Sequence, residues 1–113
     1  MSLNDWADDV VVGELQDGPA LGEDLTELRR RIERDPAKVP HIVLDMSRVS
    51  HLNSSNIAQL LRLRRHVVSS HRSLRICSVS DDVWSVMLAT GLDKVFHFND
   101  DVSTSLAAVR LGL

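Results

Sequence analysis

Tyrosine is absent from the 113 residues, and the aromatic share is only 4%, carried by Trp6, Trp84, Phe96 and Phe98. The interior must therefore be packed with Leu, Val and Ile. A single cysteine excludes an internal disulfide; Cys77, set in the apolar run Leu74 to Val79, reads as a small buried hydrophobe. No apolar run approaches the length that spans a bilayer, which argues against membrane insertion. The opening residues, MSLNDWADD, are acidic and hold no secretory apolar segment, so the cytoplasm is the expected location. Gly13, Gly18, Gly22, Gly91 and Gly112 are scattered, with no Gly-rich phosphate loop to support a nucleotide site. His41, His66, His71 and His97 show no metal-ligand spacing, and His66 and His71, five apart, do not share a helix face. No metal or cofactor is expected.

Charge is unevenly spread, although the net value is only -3. Every charged residue from Asp5 to Glu27 is acidic, whereas bases dominate from Arg29 to Arg75. A basic middle can mark nucleic-acid binding. Here two separate helical stretches share the bases and no aromatic is interleaved with them. The chain is also acidic overall. A solvated helix face or an electrostatic surface for a protein partner is the better reading, and no nucleic acid is expected.

The length suits one domain, residues 1–113, with a real core. Val10-Val11-Val12, closed by Gly13, reads as a strand, with a short edge segment before it around Trp6. Gln16-Asp17-Gly18-Pro19 is a turn by composition. Leu21, Leu25, Leu28 and Ile32 recur at intervals of three or four, the stripe of an amphipathic helix that Asp35-Pro36 stops. Ile42-Val43-Leu44 is a short β-branched run, the mark of a strand buried on both faces. Ile57, Leu60, Leu61, Val67 and Val68 predict the apolar face of the next helix, which fades at Ser69-Ser70-His71. A strand follows over Leu74–Val79. Ser80 then caps a helix buried through Val83, Trp84, Met87 and Leu88 and stopped by Gly91. Val95 to Phe98 predicts a last strand, and Val102, Leu106, Val109 and Leu113 the stripe of a last helix. Each crossover is long enough to make the next strand parallel, which predicts an α/β domain.

Chemistry concentrates between the central strand and its helix, in His41 to Arg65, HIVLDMSRVSHLNSSNIAQLLRLRR. Asn53 is placed to cap the helix, putting Ser54 and Ser55 in its first turn. The stretch resembles the STAS domain of bacterial anti-sigma factor antagonists. In that family an apolar strand ends in Asp, and a turn leads to Asp-Ser-Ser/Thr-Gly opening a leucine-rich helix. Here the strand is His41-Ile-Val-Leu-Asp45 and the motif is Asn53-Ser54-Ser55-Asn56, followed by Ile57-Ala-Gln-Leu-Leu61. Gly13-Glu14-Leu15 and Thr90-Gly91-Leu92-Asp93-Lys94-Val95-Phe96 extend the likeness over nearly the whole chain. The resemblance implies a single STAS domain: a central, mostly parallel sheet of four to five strands packed with about four helices.

The resemblance also implies a function. In phosphorylatable members the modified residue is the Ser directly after the motif Asp, which maps onto Ser54, with Ser55 as second choice. The unphosphorylated domain binds an anti-sigma factor that is also a serine kinase, and phosphorylation by that kinase reverses binding. Two departures stand out: Asn53 removes the family carboxylate, and Asn56 adds a side chain where the family has Gly. The expected docking surface is Ser50, His51, Asn53, Ser54, Ser55 and Asn56, continued by Gln59 and Arg62, with Arg48 at the rim. STAS domains also serve as regulatory subunits of membrane transporters, including lipid-transport ATPases, and as scaffolds in stress-sensing assemblies. A third reading is a hydrolase with Ser54 as nucleophile, His51 as base and Asp45 as orienter. The Gly-x-Ser-x-Gly elbow is absent, and the expectation is a binding protein without catalytic residues.

Overall fold

Successive side chains of a strand point to opposite faces, so the continuous apolar runs of the inner strands bury both. Along the helices apolar residues recur with a period near three and a half and bury one face. The computed structural model describes residues 2–113. The strands are β1 (Ser2–Ala7), β2 (Val10–Gln16), β3 (His41–Arg48), β4 (Leu74–Cys77) and β5 (His97–Asn99). The helices are α1 (Pro19–Arg34), α2 (Ser54–Ser69), α3 (Asp81–Thr90) and α4 (Val102–Leu111). Short 3-10 turns at Pro36–Lys38 and Leu92–Lys94 follow α1 and α3.

One sheet holds all five strands, in the order β1-β2-β3-β4-β5. β1 pairs antiparallel with β2, and every later pair is parallel. Val11 lies opposite Ile42 and Leu44 opposite Ile76, so the buried residues form rows across the sheet. One face carries Val11, Leu15, Ile42, Leu44, Met46, Leu74 and Ile76, covered by α1 (Leu21, Leu25, Leu28, Ile32), α2 (Leu60, Leu63, Val67) and α3 (Val83, Met87). The other face, with Val10, Val12, Val43 and Cys77, is covered by Val109 of α4. Because β2 to β5 are parallel, their carboxyl ends share one end of the sheet. The loops into all four helices gather there, the end where ligand sites of α/β sheets form.

Several expectations need correction. Leu61 and Val68 of α2 are exposed, at 39% and 46%, and Leu63 takes the inward position instead. Trp84 and Leu88 of α3 are likewise exposed. In both helices the hydrophobic residues cover a wider arc than the buried face, so periodicity alone cannot choose its centre. β2 runs through Gly13 to Gln16, since a glycine paired on both sides can stay in the ladder. A Cβ on Gly13 would stand 3.3 Å from both Leu3 Cδ2 and Leu44 Cδ2, so the bare backbone there matches tight packing. β4 ends at Cys77, because Ser78 turns left-handed with φ 58°. β5 begins at His97 rather than Val95, since Val95 N–H and Phe96 N–H bond back to Leu92 O. Leu113 lies beyond α4, which Gly112 closes with φ 70°, and is exposed.

Candidate functional site at the start of the second helix

The loop from β3 to α2 is pinned by its apolar residues. Val49 and Leu52 are buried, and Val49 N–H bonds Met46 O at 3.0 Å. Ser50 between them is held by a clamp from another loop: its N–H and Oγ donate to Asp17 Oδ1 and Oδ2 at 2.9 and 2.6 Å. The Ser50 hydroxyl, then its N–H, holds the Asp17 carboxyl below the usual carboxylate range, and the His51 N–H and charge add to the effect. Sequence reasoning took Asp17 only as part of a turn. The two loops meet only because β2 and β3 pair in parallel, so no local pattern marked it.

Asn53 caps α2 through a reciprocal pair of bonds. Its Oδ1 accepts the Asn56 N–H at 2.8 Å, and Asn56 Oδ1 accepts the Asn53 N–H at 3.2 Å. This is a capping box built with Asn in the place usually held by Glu or Gln. Asn56, expected on the docking surface, is therefore folded back and only 8% exposed. Ser54 and Ser55 are exposed, and neither side chain hydrogen-bonds another described residue. His51 is exposed beside them.

Gln59, also expected on the surface, is half-buried and tied to α1. Its Nε2 donates to Gly22 O at 3.1 Å and to Thr26 Oγ1 at 3.2 Å, while its Oε1 accepts from Asn56 Nδ2 at 3.5 Å. Arg62 and Arg48 are exposed and make no ion pair among the described residues. The cleft between the turn before α1 and the start of α2 is lined by Asp17, His51, Asn53, Ser55, Asn56 and Gln59. A carboxylate thus lines this cleft even though Asn53 brings none.

Two other arrangements can be checked directly. Asp45 Oδ1 accepts the Ser47 N–H at 2.9 Å, and no hydrogen bond joins His51 to Asp45 or Ser54 among the described residues. Among the described residues no group of three or more His, Cys, Asp or Glu is placed to hold a metal ion, and no helix is long and apolar enough to cross a membrane.

The family model of the STAS domain matches residues 16–105. The chain belongs to the STAS domain family. The STAS fold recurs in solved structures of low sequence identity. A protein from Thermotoga maritima described as a candidate anti-sigma factor antagonist is 19% identical, with TM-score 0.80, covering 96% of this chain and 93% of that one. A sulfate transporter family protein from Wolinella succinogenes is 18% identical, with TM-score 0.76, over 91% and 86% of the two chains. The Bacillus cell fate determinant SpoIIAA, in its phosphorylated form, is 18% identical, with TM-score 0.67, over 96% and 97%. No curated protein matches the chain at a significant level. The four helices and the mixed, mostly parallel sheet are those of the STAS fold.

Proposed function

We propose that this STAS domain is a non-enzymatic anti-sigma factor antagonist that binds an anti-sigma factor with serine-kinase activity and is released when Ser54 is phosphorylated. The observation that carries the reading is the state of the first turn of α2. Ser54 is exposed, its hydroxyl is unengaged, and it stands at the first helical position behind a built cap. The box consumes the Asn53 and Asn56 N–H groups, leaving those of Ser54 and Ser55 to face an added phosphate. That phosphate brings about −1.5 to −2 charges to a surface otherwise rich in hydroxyls and amides. A partner docked there is repelled and must strip water from a dianion, while the core beneath is untouched. The phosphorylated form known for SpoIIAA accords with such a switch.

The docking surface is Ser50, His51, Asn53, Ser54 and Ser55, with Arg62 and Arg48 at its edge and Asn56 and Gln59 as its supports. The test uses an anti-sigma factor with serine-kinase activity from the same cell. Ser54→Glu weakens binding by at least about tenfold while the melting midpoint stays within about 2 °C, and Ser54→Ala binds as wild type. Equal binding by Ser54→Glu and wild type refutes the site.

A second reading keeps the fold and changes the partner to a membrane transporter, such as a lipid-transport ATPase, or a stress-sensing scaffold. Asn53 favours it, because the family carboxylate beside the phosphorylated Ser is missing. Intact mass of the protein from its native cell separates the two. A phosphate on Ser54 supports the switch, and an unmodified chain under several growth conditions supports constitutive binding.

A further inference from the structure

β4 and β5 end side by side, Cys77 opposite Asn99, and the chain leaves both strands abruptly. Ser78 turns left-handed after β4, Ser80 caps α3, and Asp101 caps α4. Between the two exits opens a cleft of about 340 Å3 whose lining includes Ser78, Asp81, Trp84, Phe98 and Asp100. That volume lies at the bottom of the range for ligand sites, roughly 300 Å3 upward, and has room for one long side chain. Its wall is aromatic. Trp84 is 37% exposed and stands edge-to-face with Phe98, centroids 5.2 Å apart and planes at 83°. The pairing fixes the indole, so a partner meets an ordered aromatic surface at little entropic cost.

Its rim is acidic: Asp81 and Asp100 line it, and their exposed chain neighbours Asp82 and Asp101 stand beside it. The ion pairs among the described residues are Arg29–Glu33, Arg31–Asp5, Arg34–Glu27, His66–Glu33 and Arg110–Asp9, and none involves Asp81, Asp82, Asp100 or Asp101. Two of the four carboxylates, Asp81 and Asp82, lie in the first turn of α3, and Asp101 caps α4, so the helix dipoles answer part of the charge. Two helix N-termini amount to about one positive charge in all. The Arg75 guanidinium, which donates to Asn99 Oδ1 at 3.3 Å behind the cleft, adds another. The two lining carboxylates and their two neighbours, against about two positive charges, leave the mouth of the cleft and its surroundings negative.

We propose that this cleft receives an arginine side chain of a protein partner. A guanidinium can lie on the exposed indole and donate in its plane to the carboxylates of Asp81 and Asp100. An ammonium, compact and strongly hydrated, gains less from such a wall. The surface is built from α3, β5 and the loop into α4, uses no residue of the Ser54 region, and stands whether or not Ser54 is modified.

The test follows Trp84 emission in a Trp6→Phe background, where Trp84 is the remaining indole. The probe is an amidated tetraarginine peptide in low salt, with tetralysine in parallel. A saturable change is expected, tighter for tetraarginine. Asp81→Asn with Asp100→Asn weakens it about tenfold, the sum of two exposed ion pairs of about half to one kcal/mol each. Removing the same charge elsewhere, by Asp8→Asn with Glu23→Gln, weakens it less than about twofold. Ser54→Glu leaves the titration unchanged, which separates this cleft from the proposed switch. No saturable change, equal affinity for the two peptides, or equal weakening by the two double variants overturns the proposal.

Discussion

Replacing Asn53 by alanine removes the Oδ1 acceptor of the Asn56 N–H and opens one half of the box that starts α2. Loss of an N-cap side chain costs about 1 kcal/mol, within a range of roughly 0.5 to 2. The local setting places this case in the upper half, because Asn56 is 8% exposed and water cannot readily replace the lost acceptor. Unfolding entropies of about 2.1 cal/mol/K per residue give roughly 0.24 kcal/mol/K for a chain of this length. A loss of about 1.3 to 2 kcal/mol thus lowers the melting midpoint by about 5 to 8 °C. Asn53→Asp keeps the acceptor and adds a negative charge at the positive end of the helix, so it melts at or slightly above wild type. Asn56→Ala removes the reciprocal acceptor, and the double variant costs less than the two single losses together, because the bonds form one unit. The assay is thermal unfolding by circular dichroism. An Asn53→Ala midpoint within about 1 °C of wild type, or strict additivity, refutes the box as a stabilising device.

Leu60 and Leu61 adjoin in sequence but differ in exposure, at 0% and 39%. Chemical denaturation of Leu60→Ala therefore shows a loss of about 2 to 5 kcal/mol, and Leu61→Ser a change within about 0.5 kcal/mol. His41 accepts the Ser73 N–H at Nδ1, 2.9 Å away, and turns Nε2 to Arg72 Nη1 at 3.2 Å. Burial first, then the Arg72 and Arg110 charges against the opposing pull of Asp9, push its pKa below the ordinary 6.5. The unfolded chain thus takes up the proton first. Stability is full above about pH 6.5 and declines as pH falls toward the lower folded value. The advantage of wild type over His41→Asn, measured by denaturation at several pH values, shrinks over that window; an advantage independent of pH refutes the assignment. Cys77 is fully buried and burial pushes its thiol up. Ellman's reagent at pH 8 should leave the native protein unmodified and titrate the thiol after denaturation, whereas native reaction at the rate of free cysteine contradicts the packing.

What could be read in advance was what is local. The stripe Leu21, Leu25, Leu28 and Ile32 is buried as its spacing predicts, because no other large apolar residue lies between them and one choice of face is left. In α2 the choice was ambiguous, since Leu60, Leu61 and Leu63 all precede the same stretch of helix, and the sheet selected Leu60 and Leu63. Asn53 as a cap was legible because a cap reaches only three residues ahead. The inward turn of Asn56 was not, because an Asn at that position can as easily face solvent. The supports of the candidate site are less local still. Gln59 meets Gly22, 37 residues away, and Ser50 meets Asp17, 33 away. Such contacts exist only once β2 and β3 have paired, so composition and spacing are silent about them. The aromatic wall of Trp84 and Phe98 was hidden for the same reason: one was expected inside a helix interface, the other inside a strand.

The order of strands in the sheet is also the order of strands in the chain. As the polypeptide leaves the ribosome, each new strand finds its neighbour already made, and the sheet can grow at one edge without threading or rearrangement. The helices α1, α2 and α3 arrive between strands and seal one face as it forms. The opposite face waits. Val10, Val12, Val43 and Cys77 stay without their helical cover until α4, which follows β5, is complete. A nascent chain is thus a growing sheet with one dry side and one bare side of β-branched residues, the surface on which unfinished chains adhere to one another. The interval before α4 emerges is the domain's most exposed moment, and α4 is the piece whose loss would turn a folded module into an aggregating one.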